Sequence, residues 1–189
     1  MAKVIYVMKK ILKEVIPYII ILIVVVLIRT YIVTPITVVG SSMVPTLHNK
    51  ELLLLSKISY KIHDIDRWDI VVIKEDDWII KRVIGLPGEK IEYKDEVLYI
   101  NDKKIEDKYA NGKTKDFDMY DIYLAGLSEK EKDKTEEFFE TIPEGYYLVL
   151  GDNREISKDS RTVGLIKENE IKGKAIFRFW PLNKIKVLK

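Results

Sequence analysis

Cysteine is absent from this 189-residue chain. Its absence excludes disulfides, thiol nucleophiles and cysteine-based metal sites together. Histidine is nearly absent: only His48 and His63 occur, too few to cage a metal. No metal or other cofactor is expected. An excess of one charge is also lacking, since 32 Lys and Arg stand against 30 Asp and Glu, for a net charge of +2. Nucleic-acid binders usually carry a strongly basic face, so no nucleic-acid partner is expected. Repeats and low-complexity tracts are missing. What is present, 47% hydrophobic and 33% charged residues, suits a folded domain rather than a disordered or multi-span chain. The length allows one membrane segment and one domain of ordinary size.

The N-terminus carries the longest apolar run. "VIPYIIILIVVVLI", from Val15 to Ile28, has no charge. As a helix its residues span about 21 Å, short of a hydrocarbon core of about 30 Å. Ile11 and Leu12 before it and "TYIV" after it supply the missing length, with Lys13, Glu14 and Arg29 near the interfaces. A membrane-spanning anchor is expected over 15–33. Lys3, Lys9, Lys10 and Lys13 precede it, which by the positive-inside rule leaves 1–14 in the cytoplasm and 34–189 outside. The expected location is therefore a cell membrane, crossed once, with the lipid bilayer as a partner. A cleaved signal peptide and a buried core helix are the competing readings. The charge-free core lies more than ten residues before the small residues at 38–40, which argues against cleavage there.

After Pro35 the texture changes to short β-type runs separated by turns. Strands are expected over 51–60, 69–77, 78–86, 89–101, 145–152 and 173–181, with "YKDE" and "LPGE" as turns. The stretch 102–143 is dense in charge and reads as an insertion. Within it, 128–140 reads as a short exposed helix with Ser128 and Glu131 as a capping box. The expected fold class is mainly β: a partly closed antiparallel β-sheet catalytic domain behind one N-terminal transmembrane helix, with a charged insertion.

Three stretches could carry chemistry. "GSSMVPTLHNK" (40–50) places Ser41 and Ser42 just past the anchor. A serine becomes a nucleophile only when a positioned base takes its proton. His48 is near in sequence, but no spacing points to the carboxylate that a histidine base needs, and His63 sits beside Asp64 and Asp66 in what reads as a solvated turn. A lysine stripped of its proton is the other kind of base, and only desolvation or a nearby positive charge achieves that. Lys81 in "WIIKRVIGLPGE" has apolar company. In a strand, Ile79, Lys81 and Val83 share one face while Ile80, Arg82 and Ile84 share the other. A strand-edge lysine that snorkels to water fits the same pattern. Finally, "GDNREISKDSR" (151–161) follows an apolar strand. Asp152, Arg154, Asp159 and Arg161 suit a salt-bridged scaffold, with Ser157 and Ser160 as hydroxyl groups, though an ordinary turn would look similar.

Taken in order, these stretches resemble the boxes of bacterial type I signal peptidase, of the Gram-positive-like branch. "GSSMVPTL" is similar to that family's serine box, "RWDIVVI" to its next strand, "KRVIGLPGE" to its lysine box and "GDNREISKDSR" to its C-terminal box. The anchor's "IRTYIVTPITV" resembles the lead-in to the serine. The likeness covers about 28–100 and 143–181. It implies a Ser/Lys endopeptidase that removes signal peptides from exported preproteins. It further implies Ser42 as nucleophile, Lys81 as general base, Ser157 orienting the lysine amine, and Asp159 and Arg161 bracing the site. Gly40 stands where one branch has a serine whose hydroxyl is the second oxyanion donor; the Gram-positive branch often has glycine there.

Substrate would be read by strand addition, with Val38 and Val39 before Ser42, and Ile79 and Ile80 before Lys81, as pocket walls. Preproteins with small residues three and one before the cut are the expected partners. Two other functions compete. A Ser/Lys protease of the self-cleaving repressor type would be soluble, which the anchor opposes. A non-catalytic membrane-tethered binding module would be expected to lack Ser42 or Lys81, and both are present.

Overall fold

The computed structural model describes residues 2–74, 78–128 and 138–188. The proposed helix with the Ser128–Glu131 capping box therefore lies largely outside the described residues. A helix, α1 (Ala2–Leu27), opens the chain and contains Pro17. From Ile11 to Ile32 the chain has a mean hydropathy of 2.7 and none of this stretch is buried. At about 1.5 Å per residue it extends about 33 Å, long and apolar enough to cross a membrane.

The remaining elements are mostly strands: β1 (Val33–Thr37), β2 (Leu52–Ser56), β3 (Ile70–Lys74), β4 (Trp78–Gly85), β5 (Ile91–Lys94), β6 (Val97–Ile100), β7 (Lys103–Ile105), β8 (Tyr146–Leu150), β9 (Ile166–Lys167), β10 (Ile171–Trp180) and β11 (Lys186–Val187). Short helices intervene: α2 (Ser59–Ile62), α3 (Met119–Ala125) and α4 (Ser160–Val163). The main sheet runs β1-β2-β10-β3-β4-β8-β9, with β11 on β10. A second sheet holds β5, β6 and β7. Neighbouring strands are antiparallel throughout both.

The strands form where alternating or continuous apolar residues can be covered. Leu53, Leu55, Val71, Val72 and Ile73 are fully buried, each contributing roughly 1.5–3 kcal/mol of burial. The expected strand 51–60 stops at Ser56, where Ser59 Oγ donates to Ser56 Oγ at 2.7 Å and the chain turns into α2. The expected strand 89–101 is a hairpin, because Asp95 and Glu96 adopt φ of +50° and +63°. That conformation reverses β5 into β6. Within 102–143, Phe117, Met119, Ile122 and Ile142 are buried against Ile84, Ile91, Leu98 and Leu148. Gly173 marks the crossing of β10 between β2 and β3. Its φ is +152°, and a Cβ there would strike the Ser56 carbonyl.

Glu51 closes the loop that carries residues 40–50. Its carboxylate accepts hydrogen bonds from the His48 amide at 3.1 Å, Arg178 Nη1 at 2.8 Å and Lys184 Nζ at 3.3 Å. Burial by itself would push this carboxyl up, but the bonds from Arg178, His48 and Lys184 outweigh it and hold Glu51 below its ordinary value. A depressed carboxyl adds stability above its unfolded-state pKa and loses it as pH falls through the folded one. Resistance to denaturant should thus decline below about pH 4.3, and Glu51→Gln should lower stability at neutral pH while flattening that decline. Equal acid sensitivity in both proteins would contradict this role.

Candidate active site

Ser42 sits on the loop between β1 and β2. The loop is anchored by two buried apolar side chains, Met43 and Leu47. Leu47 N–H donates to the Met43 carbonyl at 2.8 Å, and Val44 N–H to the Ser41 carbonyl at 3.2 Å. Gly40 has φ of +84° with open space around it, and its N–H donates to Asn49 Oδ1 at 3.3 Å. Ser41 is exposed and Ser42 half-buried.

The second component is β4. Lys81 is 3% exposed and Arg82 fully buried, so both basic residues of the strand face inward, on opposite sides of the sheet. Arg82 is committed to the scaffold. Its Nε and Nη2 donate to the two oxygens of buried Asp152 at 2.8 and 2.7 Å, its Nη1 donates to the Trp68 carbonyl at 2.8 Å, and its guanidinium lies 3.6 Å from the Tyr109 ring centre. Lys81 occupies the other face. It pairs in register with Val71, beside the cluster that includes Val71, Val83, Val149 and Ile79. The snorkelling reading is thereby corrected: the strand delivers Lys81 inward.

The third component is the loop after β8. The register pairs Arg82 with Leu150 and Val83 with Val149. Continued by one residue, it sets Lys81 opposite Gly151, and a Cβ on Gly151 would lie about 4.5–5.5 Å from that of Lys81. That space is already filled: a Cβ built on Gly151 collides with Ser157 Oγ and the Ser42 carbonyl oxygen. Ser42, Ser157 and the base of Lys81 therefore converge on one glycine. Ser157 Oγ is buried and has no hydrogen-bond partner among the described residues.

The surrounding groups hold this convergence in place. Asn153 N–H donates to the Ser42 carbonyl at 2.9 Å, and its Nδ2 to the Ser41 carbonyl at 3.3 Å. Ser157 N–H in turn donates to the Asn153 carbonyl at 3.1 Å. Asp159, 1% exposed, accepts from Gly151 N–H at 2.9 Å and from Arg161 Nε and Nη2, both at 2.8 Å. It also caps α4, accepting from the Arg161 amide. Ser160 Oγ accepts from Val149 N–H at 3.0 Å.

The expected scaffold among Asp152, Arg154, Asp159 and Arg161 is only half internal. Asp159 pairs with Arg161, but Asp152 reaches Arg82, and Arg154 pairs with Asp107 at 2.6 Å. Asn111 stitches the segment after β7 to the loop, its backbone N–H donating to the Asp152 carbonyl at 2.8 Å and its carbonyl accepting from Arg154 N–H at 2.9 Å. Asn153, Asp107, Tyr109 and Asn111 are positioning residues that sequence reasoning did not single out. Asn153 lay in view inside "GDN"; nothing in the spacing of the other three signals a contact with residues 82 and 152–154.

His48 and His63 are both exposed, and no cluster of metal-ligating side chains occurs among the described residues. Of the expected substrate walls, Val39 is 82% exposed and Ile79 and Ile80 are half-buried. Val38 instead turns into the core, at 3% exposure. Along Trp78–Ile80, β4 is paired with β3 on one side, while among the described residues no strand pairs with its other edge, since β8 covers Arg82 to Gly85.

Known proteins match most of the chain. A model of the family described as "Signal peptidase, peptidase S26" matches residues 11–180. Signal peptidase IB of Staphylococcus aureus is 44% identical over 164 residues, covering 85% of this chain and 84% of the relative. Signal peptidase I of Bacillus caldolyticus is 42% identical over 159 residues, covering 82% and 83%. A crystal structure of a signal peptidase I from Enterococcus faecalis aligns with a TM-score of 0.46 and 33% identity, covering 60% of this chain and 97% of that one. On the extent of the family match and the identity to these relatives, the chain belongs to the signal peptidase family, peptidase S26.

Proposed function

We propose that this hydrolase cleaves the signal peptides of exported preproteins through a Ser42–Lys81 dyad, in a domain held outside the membrane by its N-terminal helix. The observation that carries the reading is the convergence at Gly151 of the Ser42 carbonyl, the Ser157 hydroxyl and the residue position opposite Lys81.

Ser42 Oγ attacks the scissile carbonyl while the neutral Lys81 amine takes its proton. The resulting ammonium then gives that proton to the departing amine, leaving an acyl-enzyme that water hydrolyses by the same exchange in reverse. Burial disfavours the charged form of a lysine, and Lys81 is 3% exposed. Ser157 Oγ, packed against Gly151 and without a hydrogen bond among the described residues, is the hydroxyl available to steer the amine towards Ser42 during turnover. The Ser42 N–H supplies one oxyanion donor. Asp159 and Arg161 act at one remove, by fixing Gly151.

An extended peptide adds to the free edge of β4 at Trp78–Ile80, with Val39, Ile79 and Ile80 narrowing the room for its alternate side chains. Small residues three and one before the cut suit that space. The largely apolar 22-residue stretch Ile11–Ile32 seats the domain on the bilayer, and the lysines at its start and before it hold the N-terminus in the cytoplasm.

Two measurements test this reading. Protease added to sealed protoplasts should digest the chain beyond the span that ends at Ile32, which the orientation rule leaves outside, and spare the N-terminus; an intact domain would refute the orientation. Cleavage of a preprotein in detergent should disappear in Ser42→Ala, Lys81→Ala and Lys81→Arg, all of which remain folded, because a guanidinium stays protonated where an amine does not. Wild-type turnover should rise with pH to a midpoint below that of free lysine, about 10.4. Substrates with Phe at either small position should be cut poorly. Near-normal turnover by Lys81→Arg would remove the dyad, and indifference to Phe would remove the pocket.

A further inference from the structure

Both peptide planes that flank Ser42 are held by one residue of the other loop. Asn153 donates its backbone N–H to the Ser42 carbonyl at 2.9 Å and its side-chain Nδ2 to the Ser41 carbonyl at 3.3 Å. The Val44 N–H also reaches the Ser41 carbonyl, at 3.2 Å, but Val44 belongs to the same loop and turns with it. Asn153 is the tie from outside. Its own backbone is fixed: Ser157 N–H donates to its carbonyl at 3.1 Å, and Asn111 engages the residues on either side of it, through the Asp152 carbonyl and the Arg154 N–H. The half-buried Asn153 side chain therefore extends from a braced position.

The two bonds constrain different things. The one to the Ser42 carbonyl orients the peptide plane that follows Ser42 and seats that oxygen against Gly151. The one to the Ser41 carbonyl orients the plane that precedes it, which contains the Ser42 N–H. The Ser41–Ser42 peptide is trans, and in a planar trans peptide the N–H points opposite to the C=O. With its carbonyl drawn to Asn153, this peptide turns the Ser42 N–H away from the Gly151 loop. That N–H donates to no acceptor among the described residues, so it is available to a substrate. An oxyanion donor works by being aimed before charge develops, and a side-chain amide from the opposite loop sets the aim of this one.

We propose that Asn153 is a positioning residue for the oxyanion: by holding the Ser41 carbonyl, its side-chain amide aims the Ser42 N–H at the negative charge that develops on the substrate oxygen. The proposal rests on the Ser42–Lys81 reading above and deepens it, linking Asn153 to that charge rather than to the proton on Lys81. Removing an oxyanion donor outright costs about 10²–10³ in kcat. Without the Asn153 amide the donor stays and Val44 still restrains its plane, so the expected loss is smaller, roughly tenfold.

The test uses the full chain in detergent and two peptide ester substrates that differ in one atom: the scissile carbonyl carries oxygen or, in the thionoester, sulfur. Sulfur is larger and accepts hydrogen bonds more weakly, so the thionoester draws less on the donor. Both substrates use the same base, so their rate ratio does not report the protonation of Lys81. Asn153→Ala should lower kcat on the oxygen ester roughly tenfold, leave KM and the pH midpoint nearly unchanged, and slow the thionoester much less. Asn153→Asp keeps the side chain's shape but loses the donor, and should shrink the oxygen-to-sulfur ratio in the same way. Equal losses on both substrates, or no loss, in variants that unfold cooperatively like wild type would overturn the proposal. Lys81→Ala should be inactive on both substrates; turnover there would remove the dyad, and is read separately from the ratio.

Discussion

The arrangement depends on a steric vacancy. Gly151 has no side chain, and the volume one would need is shared by a carbonyl oxygen of the Ser42 loop and the hydroxyl of Ser157. Two loops remote in sequence can meet there only because the residue between them and Lys81 is glycine. Its N–H is spoken for by Asp159 and its carbonyl accepts from Arg154 Nε at 3.0 Å, so the glycine is held from both sides. Everything proposed for the dyad follows from that fixed point.

Around it the protein buries charge on a scale that hydrophobic packing alone would not require. Arg82–Asp152 and Arg154–Asp107 are both ion pairs with almost no exposed side chain. Such pairs gain little net stability over an apolar substitute, yet breaking one by removing a partner costs about 3–5 kcal/mol. Their effect is geometric. Asp152 joins the end of β8 to β4, and Asp107 joins the excursion after β7 to Arg154, so the loop beneath the site has no low-cost alternative position. The described part of 102–143 is thus bound into the domain by Asp107, Asn111 and a buried apolar set that includes Phe117 and Ile122.

Much of this was legible in the sequence. The apolar run and the strands around Leu53, Val72 and Val83 declared themselves through hydrophobic pattern, because burial on one or both faces of a sheet leaves that mark directly. Ser42, Lys81 and Ser157 stood out because their boxes resemble a known family in order and spacing. Pairing was not legible: β10 inserts between β2 and β3, and no local feature of 171–180 names its neighbours. The destination of each basic residue in "KR" was likewise hidden, since strand alternation separates Lys81 from Arg82 without saying which face holds the acid. In 102–143, charged residues outnumber the apolar ones in the sequence, so Asp107, Tyr109 and Asn111 were masked by their surroundings.

The central claim is that the packing at Gly151 aligns nucleophile and base. Gly151→Ala adds one methyl group at the point of contact and leaves every proposed catalytic group in the chain. A displacement of about 1 Å at a reacting group can cost about 10²-fold in rate. The account predicts a loss of kcat of that order in Gly151→Ala, with cooperative thermal unfolding retained and substrate binding nearly unchanged. Wild-type kcat in a folded Gly151→Ala protein would contradict it.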